Sequence, residues 1–258
     1  MITSVSNPQV KHLQQLARKA KVRNEEGVFL AEGIKMFREA PKDKIQNVYI
    51  SKSLYEEKGQ AFLDGTEAQV LDDRVFASVS DTKTPQGILC VIRQFRYCME
   101  DILKKDKPLL LALENLQDPG NVGTILRTAE GAGADAVLLS RGCVDMYNPK
   151  TIRSTMGSVY RVPFVYTDDL ERMLTFLKER GIHIYAAHLK GRRYYDEEDY
   201  RCGCAFLIGN EGNGLSERVS ACADTLIRIP MEGRVESLNA AVSASILVYE
   251  AFRQRLRQ

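Results

Sequence analysis

The chain has 258 residues, 44% of them hydrophobic and 27% charged, with a formal net charge of +2. This composition can fill a core and excludes a disordered or fibrous protein, and no apolar run approaches the roughly 18 residues of a membrane span. The length allows two ordinary domains or one large one, and Met1 to Lys21 lacks the apolar core of a signal peptide, so the expected location is the cytoplasm, with no membrane partner.

At the start of the chain, Asn7 is placed to cap a helix with Pro8 in its first turn, and Val10, Leu13, Leu16, Ala17 and Ala20 follow at helical spacing. The opposite face is basic. Lys11, Arg18, Lys19, Lys21 and Arg23 fall within residues 1–24, which contain no Asp or Glu. A stripe of this kind is the footprint expected for phosphate contact, although solvated basic helix faces are also common.

Short apolar runs then alternate with helical stretches: GVFLAEG, IKMFREA, IQNVYI, residues 52–58, AQV, DDRVFASV and GILCVIRQF. They make a small α/β unit over residues 1–96. The charged stretch at 97–107 reads as a linker closed by Pro108.

The second unit, 108–258, opens with the strand LLLALE and continues with a helix at 121–131, strand AVLL, a helix at 149–157, strand VPFVY, a helix at 168–180 and strand IHIYAA. CAFLIG, a short helix near 215–221, strand TLIRIP and a long helix from 237 complete it. Short strands rich in Val, Ile and Leu between helices predict a mainly parallel sheet covered on both faces. On the last helix Leu238, Val242, Ser245, Tyr249, Phe252 and Leu256 form one stripe, suited to packing or to a dimer. Arg253, Arg255 and Arg257 suit the negative end of its dipole.

Six cysteines, at 90, 98, 143, 202, 204 and 222, lack metal-ligand spacing, so no metal is expected and the thiols read as reduced and mostly packed.

Three segments of the second unit carry Gly, Asn, Pro, Ser and isolated charges at strand-to-helix junctions, where an open α/β sheet builds its crevice: NLQDPGNVGTILR at 115–127, LIGNEGNGLS at 207–216 and IPMEGRVESLNAAVSAS at 229–245. In the first, Asp118, Pro119 and Gly120 make a turn and Asn121 is expected to cap the helix. At about 100° per residue, Val122, Ile125, Leu126 and Ala129 share one face, leaving Thr124, Arg127 and Thr128 on the other. Arg127 is free to face a crevice or to sit as an ordinary surface arginine.

In the second segment, three glycines within residues 209–214 permit close backbone approach to a ligand. The pattern is neither the G-x-G-x-x-G fingerprint nor a phosphate loop, since no Lys-Ser/Thr follows. Glu211 would repel a pyrophosphate but complement a cation or an arginine; a Gly-rich turn with a solvated Glu is equally compatible. The third segment puts Pro230, Met231 and Gly233 in a loop, Ser237 at the start of the final helix and Asn239 in its first turn, where Asn is often a local backbone partner.

Taken in order, the segments resemble the SpoU/TrmH family of RNA ribose 2′-O-methyltransferases of the SPOUT superfamily: N-x-x-D-P-x-N-x-G-x-x-x-R at 115–127, G-N-E-G-x-G-L-S at 209–216 and I-P-M-x-G-x-V-x-S-L-N at 229–239. NPKTIRSTMGSVYRVP at 148–163 is similar to the stretch between that family's first two motifs. SNPQVKHLQQL and VFLAEG resemble the substrate-binding domain of many members, a small L30e-like α/β RNA-binding fold.

The resemblance implies a C-terminal SPOUT domain with a deep trefoil knot, S-adenosyl-L-methionine as cofactor, a homodimer, and structured RNA as partner, ribosomal RNA first and transfer RNA second. It implies catalytic roles for Arg127, Asn121, Glu211, Ser237 and Asn239, with Glu211 fixing Arg127, and cofactor binding by Gly209, Asn210, Glu211, Gly212, Ile229, Met231, Ser237, Leu238 and Asn239. Arg153 joins Lys11, Arg18, Lys19, Lys21 and Arg23 as an RNA-binding candidate. Two other function classes compete with this one: a catalytically silent RNA-binding or assembly protein, and a nucleotide-dependent enzyme of another α/β type, against which the missing phosphate loop counts.

Overall fold

A computed structural model describes residues 1–235 and 237–256. The chain divides into two compact units, one formed by Met1–Phe95 with Asp145–Tyr160, the other by Arg96–Val144 with the chain from Arg161 onward.

In the first unit Asn7 caps the helix Pro8–Arg18 as expected, its side chain accepting from the Gln9 amide at 2.8 Å. Val10, Leu13 and Leu16 are fully buried in a core shared with Val75, Phe76 and Leu89. Lys19 adopts an extended conformation that breaks the helix, and a second helix, Ala20–Glu26, ends at Gly27 with φ +65°. The unit's sheet contains β1 (Val28–Glu32), β2 (Ile45–Ser51), β3 (Gln69–Leu71) and β4 (Ile88–Arg93) in the order β1-β4-β2-β3. β4 runs antiparallel to β1 and β2, and β3 parallel to β2.

The segment 145–160 belongs to this core although the sequence places it in the second unit. The Phe29 and Tyr147 rings pack at 4.8 Å, Tyr160 donates to the Met36 carbonyl at 3.0 Å, and Asp145 takes a hydrogen bond from Arg23 at 2.6 Å. Interior aromatic and ionic partners, rather than chain continuity, decide that grouping.

The second unit is built on seven strands: β5 (Leu109–Leu113), β6 (Ala136–Ser140), β7 (Phe164–Thr167), β8 (His183–Ala187), β9 (Arg193–Tyr194), β10 (Cys204–Ile208) and β11 (Thr225–Arg228). Their order is β7-β6-β5-β10-β8-β11-β9, and every pairing is parallel. All five positions of β5, β6 and β10 are buried, the pattern of strands covered on both faces. β10 forms late in the sequence yet lies between β5 and β8, so the order of winding changes at the β5–β10 junction. The carboxyl ends of strands at such a junction open a crevice.

Residues 97–107, expected as a linker, contain a short helix, Met99–Ile102, whose Met99 and Ile102 pack into the second unit's core. The final helix, Ala240–Arg255, buries Ala244, Leu247, Val248 and Ala251. The stripe read from the sequence is its outer face: Val242 is 47% exposed, Tyr249 46% and Leu256 67%. Arg255 closes the helix against the carbonyls of Tyr200, Lys107 and Cys202. Arg257 lies outside the described residues. No helix among the described residues is long and apolar enough to cross a membrane.

Candidate active site

The loops at the carboxyl ends of β5 and β10 are set by their residue types. The helix after β5 starts earlier than expected, at Pro119, because proline lacks the N–H that a first-turn residue leaves unused. Asp118, not Asn121, is its cap, accepting from the Asn121 amide at 2.7 Å. This frees the Asn121 side chain. After β10, Asn210 and Gly214 exchange backbone hydrogen bonds at 3.0 and 2.9 Å, and the Asn210 side chain accepts from the Gly212 and Asn213 amides. The closed loop is tied to the end of β5 by Asn210 Nδ2 donating to the Asn115 carbonyl at 2.7 Å.

Gly209 has no substitute there. A Cβ at that position would lie 2.2 Å from backbone atoms of Gly214 and Leu215.

Glu211 joins the first and second segments. Its carboxylate accepts from the Gln117 amide at 3.3 Å, the Asp118 amide at 3.2 Å and Asn121 Nδ2 at 3.0 Å. Burial pushes its carboxyl up, but the hydrogen bonds from the Asn121 side chain and from backbone amides, its own included, outweigh that and hold it below the usual carboxylate range. The third segment enters through Asn239, whose Nδ2 donates to Asn121 Oδ1 at 2.9 Å. Asn239 also caps the final helix, taking the Ala241 and Val242 amides on its Oδ1. Asn239, Asn121 and Glu211 thus form one donor-to-acceptor chain across the three segments. Ser237 lies in the loop before the helix rather than at its start.

Beside this chain is a cavity of about 330 Å³. Its walls include Gly209, Asn210, Glu211, Gly212, Ile229, Met231, Ser237 and Leu238, eight of the nine residues expected to hold a cofactor. The ninth, Asn239, is not in the lining but bonds to Asn121. Ile208, Leu215, Ile229, Met231 and Leu238 give the cavity apolar surface, while the glycine loop exposes backbone polar groups. A pocket of this size and mixed character suits a compact ligand with a flat ring and a few polar edges.

Arg127 is exposed on the helix that carries Asn121 and does not line this cavity. It has no hydrogen-bond or ion-pair partner among the described residues. Within the chain the Glu211 carboxylate is taken up by the 117–121 turn, so the contact with Arg127 expected from the partner loop is not one made inside a single chain.

Sequence reading missed Glu114. This buried carboxylate accepts from the Ser216 amide at 2.7 Å and its hydroxyl at 2.6 Å, holding the end of the glycine loop. A glutamate ending an otherwise apolar strand was its signal. His188 and Leu189, after β8, also line the cavity without a motif to mark them.

In the first unit, Lys11, Arg18, Lys19 and Lys21 are exposed as expected, with Lys21 loosely paired to Glu25 at 3.7 Å. Arg23 must be removed from the RNA-binding set: it is 2% exposed, bound to Asp145 and donating to the carbonyls of Leu16 and Ala17. Arg153 is exposed but pairs with Asp81 at 3.2 Å.

Two family models match the chain. Residues 108–249 match the SpoU rRNA Methylase family and residues 7–90 the MRM3-like substrate binding domain. The chain is 35% identical over 251 residues to the 23S rRNA (guanosine(2553)-2'-O)-methyltransferase RlmP of Bacillus subtilis, covering 96% of this chain and 97% of that one. It also resembles a solved RNA 2'-O ribose methyltransferase, 31% identical with a TM-score of 0.86 over 99% of both chains. An AdoMet-bound rRNA methyltransferase from Sinorhizobium meliloti is 32% identical, with a TM-score of 0.86 over 98% of this chain and 97% of that one.

Proposed function

The chain belongs to the SpoU rRNA methylase family, and on that premise we propose that it transfers a methyl group from S-adenosyl-L-methionine to a ribose 2′-hydroxyl of ribosomal RNA. One observation carries this reading: the second and third segments wall one cavity, and the Asn239–Asn121–Glu211 chain ties the first segment to both of them.

The residues present fit the cofactor. Apolar walls and bare backbone groups suit an adenine and an alkyl sulfonium, the glycine loop has no phosphate-cradling sequence, and Gly209 lets that loop close on its own backbone at Gly214 and Leu215 to form the wall. The cofactor supplies an electrophilic methyl carbon. What the chain supplies is position and charge.

Glu211, Asn121 and Asn239 hold the loop and helix in register, a geometric contribution to the alignment that in-line transfer requires. Arg127, exposed and outside the cavity wall, orients the acceptor hydroxyl and stabilises the alkoxide as its proton passes to water; guanidinium is too weak an acid to give up its own proton and serve readily as the base. Lys11, Arg18, Lys19 and Lys21 supply phosphate contacts from the substrate-binding domain.

The relative from B. subtilis is named for a guanosine of 23S rRNA, which favours ribosomal over transfer RNA as the acceptor class. The same proposal includes a homodimer using the exposed Val242, Tyr249 and Leu256 face, a trefoil knot around the inserted β10, and a cytoplasmic location.

Purified protein incubated with methyl-labelled cofactor and deproteinised ribosomal RNA should place label in ribose-methylated nucleosides. Label on a base, label only with transfer RNA, or cofactor binding without transfer would each contradict the reading.

A further inference from the structure

The loop that follows β8 carries charge that neither the cavity nor the fold consumes. His188 and Leu189 line the cavity, and Lys190, Arg192 and Arg193, which follow in the chain, line a second groove of about 530 Å³. Two carboxylates share the groove, and both are already neutralised. Glu198 pairs with Arg193 at 3.2 Å, and Asp224 pairs with Lys178 at 2.8 Å. Lys190 and Arg192 are exposed and have no ion-pair partner among the described residues. The groove therefore carries two uncompensated positive charges, one and three residues along the chain from the cavity-lining Leu189.

Those charges are held on a stiff support. The His188 amide donates to the Ile227 carbonyl at 2.9 Å, His188 Nδ1 accepts from the Lys190 amide at 3.0 Å, and the Gly191 amide donates to the His188 carbonyl at 2.9 Å. A Cβ on Gly191 would lie 2.7 Å from the Ile227 carbonyl carbon, so the loop seats directly on β11. The chain leaving β11 then forms another wall of the same cavity through Ile229 and Met231. Leu189, 68% exposed, sits between the cavity-lining His188 and the cation Lys190.

We propose that Lys190 and Arg192 form a second RNA-binding surface, in the catalytic unit itself, that grips backbone phosphates of the substrate strand beside the nucleotide being methylated. This rests on the RNA methyltransferase reading. Two cations on a preorganised loop, one and three residues from a cavity-lining leucine, match phosphates flanking a ribose presented at the cavity, and phosphate contacts fix register without reading sequence.

The test is a Lys190→Gln/Arg192→Gln double variant of the full chain, with Arg201→Gln as a single-charge control elsewhere in the unit, where Arg201 is paired with Asp199. Binding to deproteinised ribosomal RNA is measured over a salt series, and cofactor affinity by calorimetry. Two lost contacts to single-stranded RNA, each contributing about 0.7 to the salt slope, flatten it by about 1.4 and weaken binding about 25-fold at 0.1 M salt. Cofactor affinity stays at the wild-type value and Arg201→Gln binds RNA normally. Unchanged affinity and slope in the double variant, or an equal loss in Arg201→Gln, overturns the surface while leaving the function standing. A wild-type protein that binds no RNA brings down both.

Discussion

Arg127 and Glu211 divide the work at the residue scale. Arg127 has no partner among the described residues and is a group available to substrate, whereas Glu211 spends its carboxylate on the 117–121 turn. Arg127→Ala is therefore expected to abolish methyl transfer while cofactor affinity, read by calorimetry, changes little; an active variant would remove Arg127 from the mechanism.

Glu211 gives a pH-dependent expectation. Its folded-state carboxyl lies below the usual range, so its contribution to stability is complete above the unfolded value of about 4.3 and is lost as pH falls through the folded value. Melting temperatures of wild type and Glu211→Gln should differ at neutral pH and converge in acid; a constant gap would show that the carboxylate's charge is not what is used. The partners of Glu211 were not legible in the sequence, because an acidic residue in a glycine loop is compatible with an arginine partner or with backbone amides, and only the fold brings the Gln117 and Asp118 amides to it. Glu114 was hidden for the same reason.

Elements were more legible than contacts. Alternating apolar runs located the long strands to within a few residues, since β5, β6 and β10 are continuous aliphatic stretches that have few other uses. The two-residue β9 was missed, because Arg193–Tyr194 has no apolar pattern and is itself an edge strand that pairs only with β11. Periodicity also found the outer stripe of the final helix, but the face packed inward is rich in alanine, and small residues give a weak signal although they allow close helix approach.

Asn239 ties this helix to the site, taking two amides at its start and donating to Asn121. Loss of such a cap costs about 1 kcal/mol. Asn239→Ala should lower stability by that order, whereas Asn239→Asp keeps the cap; both lose the Nδ2 donor to Asn121, so both should reduce transfer, and thermal unfolding paired with transfer rates separates the two roles. A wild-type transfer rate in Asn239→Asp would make Asn239 a cap and nothing more.

For the whole molecule, the composition of residues 1–24 suggested one basic surface, yet the break at Lys19 resets the helix phase and turns Arg23 inward to Asp145. Charge counting cannot see such a reset. Arg23→Ala should destabilise the chain by about 3 kcal/mol, the lower end for breaking a buried pair, with denaturant unfolding as the measurement. Lys19→Ala should leave stability unchanged and weaken RNA binding; the opposite pairing of effects would restore Arg23 to the RNA-facing set.

Methylation of ribosomal RNA ribose 2′-oxygens with Arg127 acting on the acceptor is the proposed reaction. Mapping 2′-O-methyl positions across ribosomal and transfer RNA tests it most directly, in cells with the protein, without it, and with only Arg127→Ala. The expected result is a ribosomal ribose methylation present in the first and absent from the other two. Identical maps in all three, or a lost methylation confined to transfer RNA, would contradict the claim.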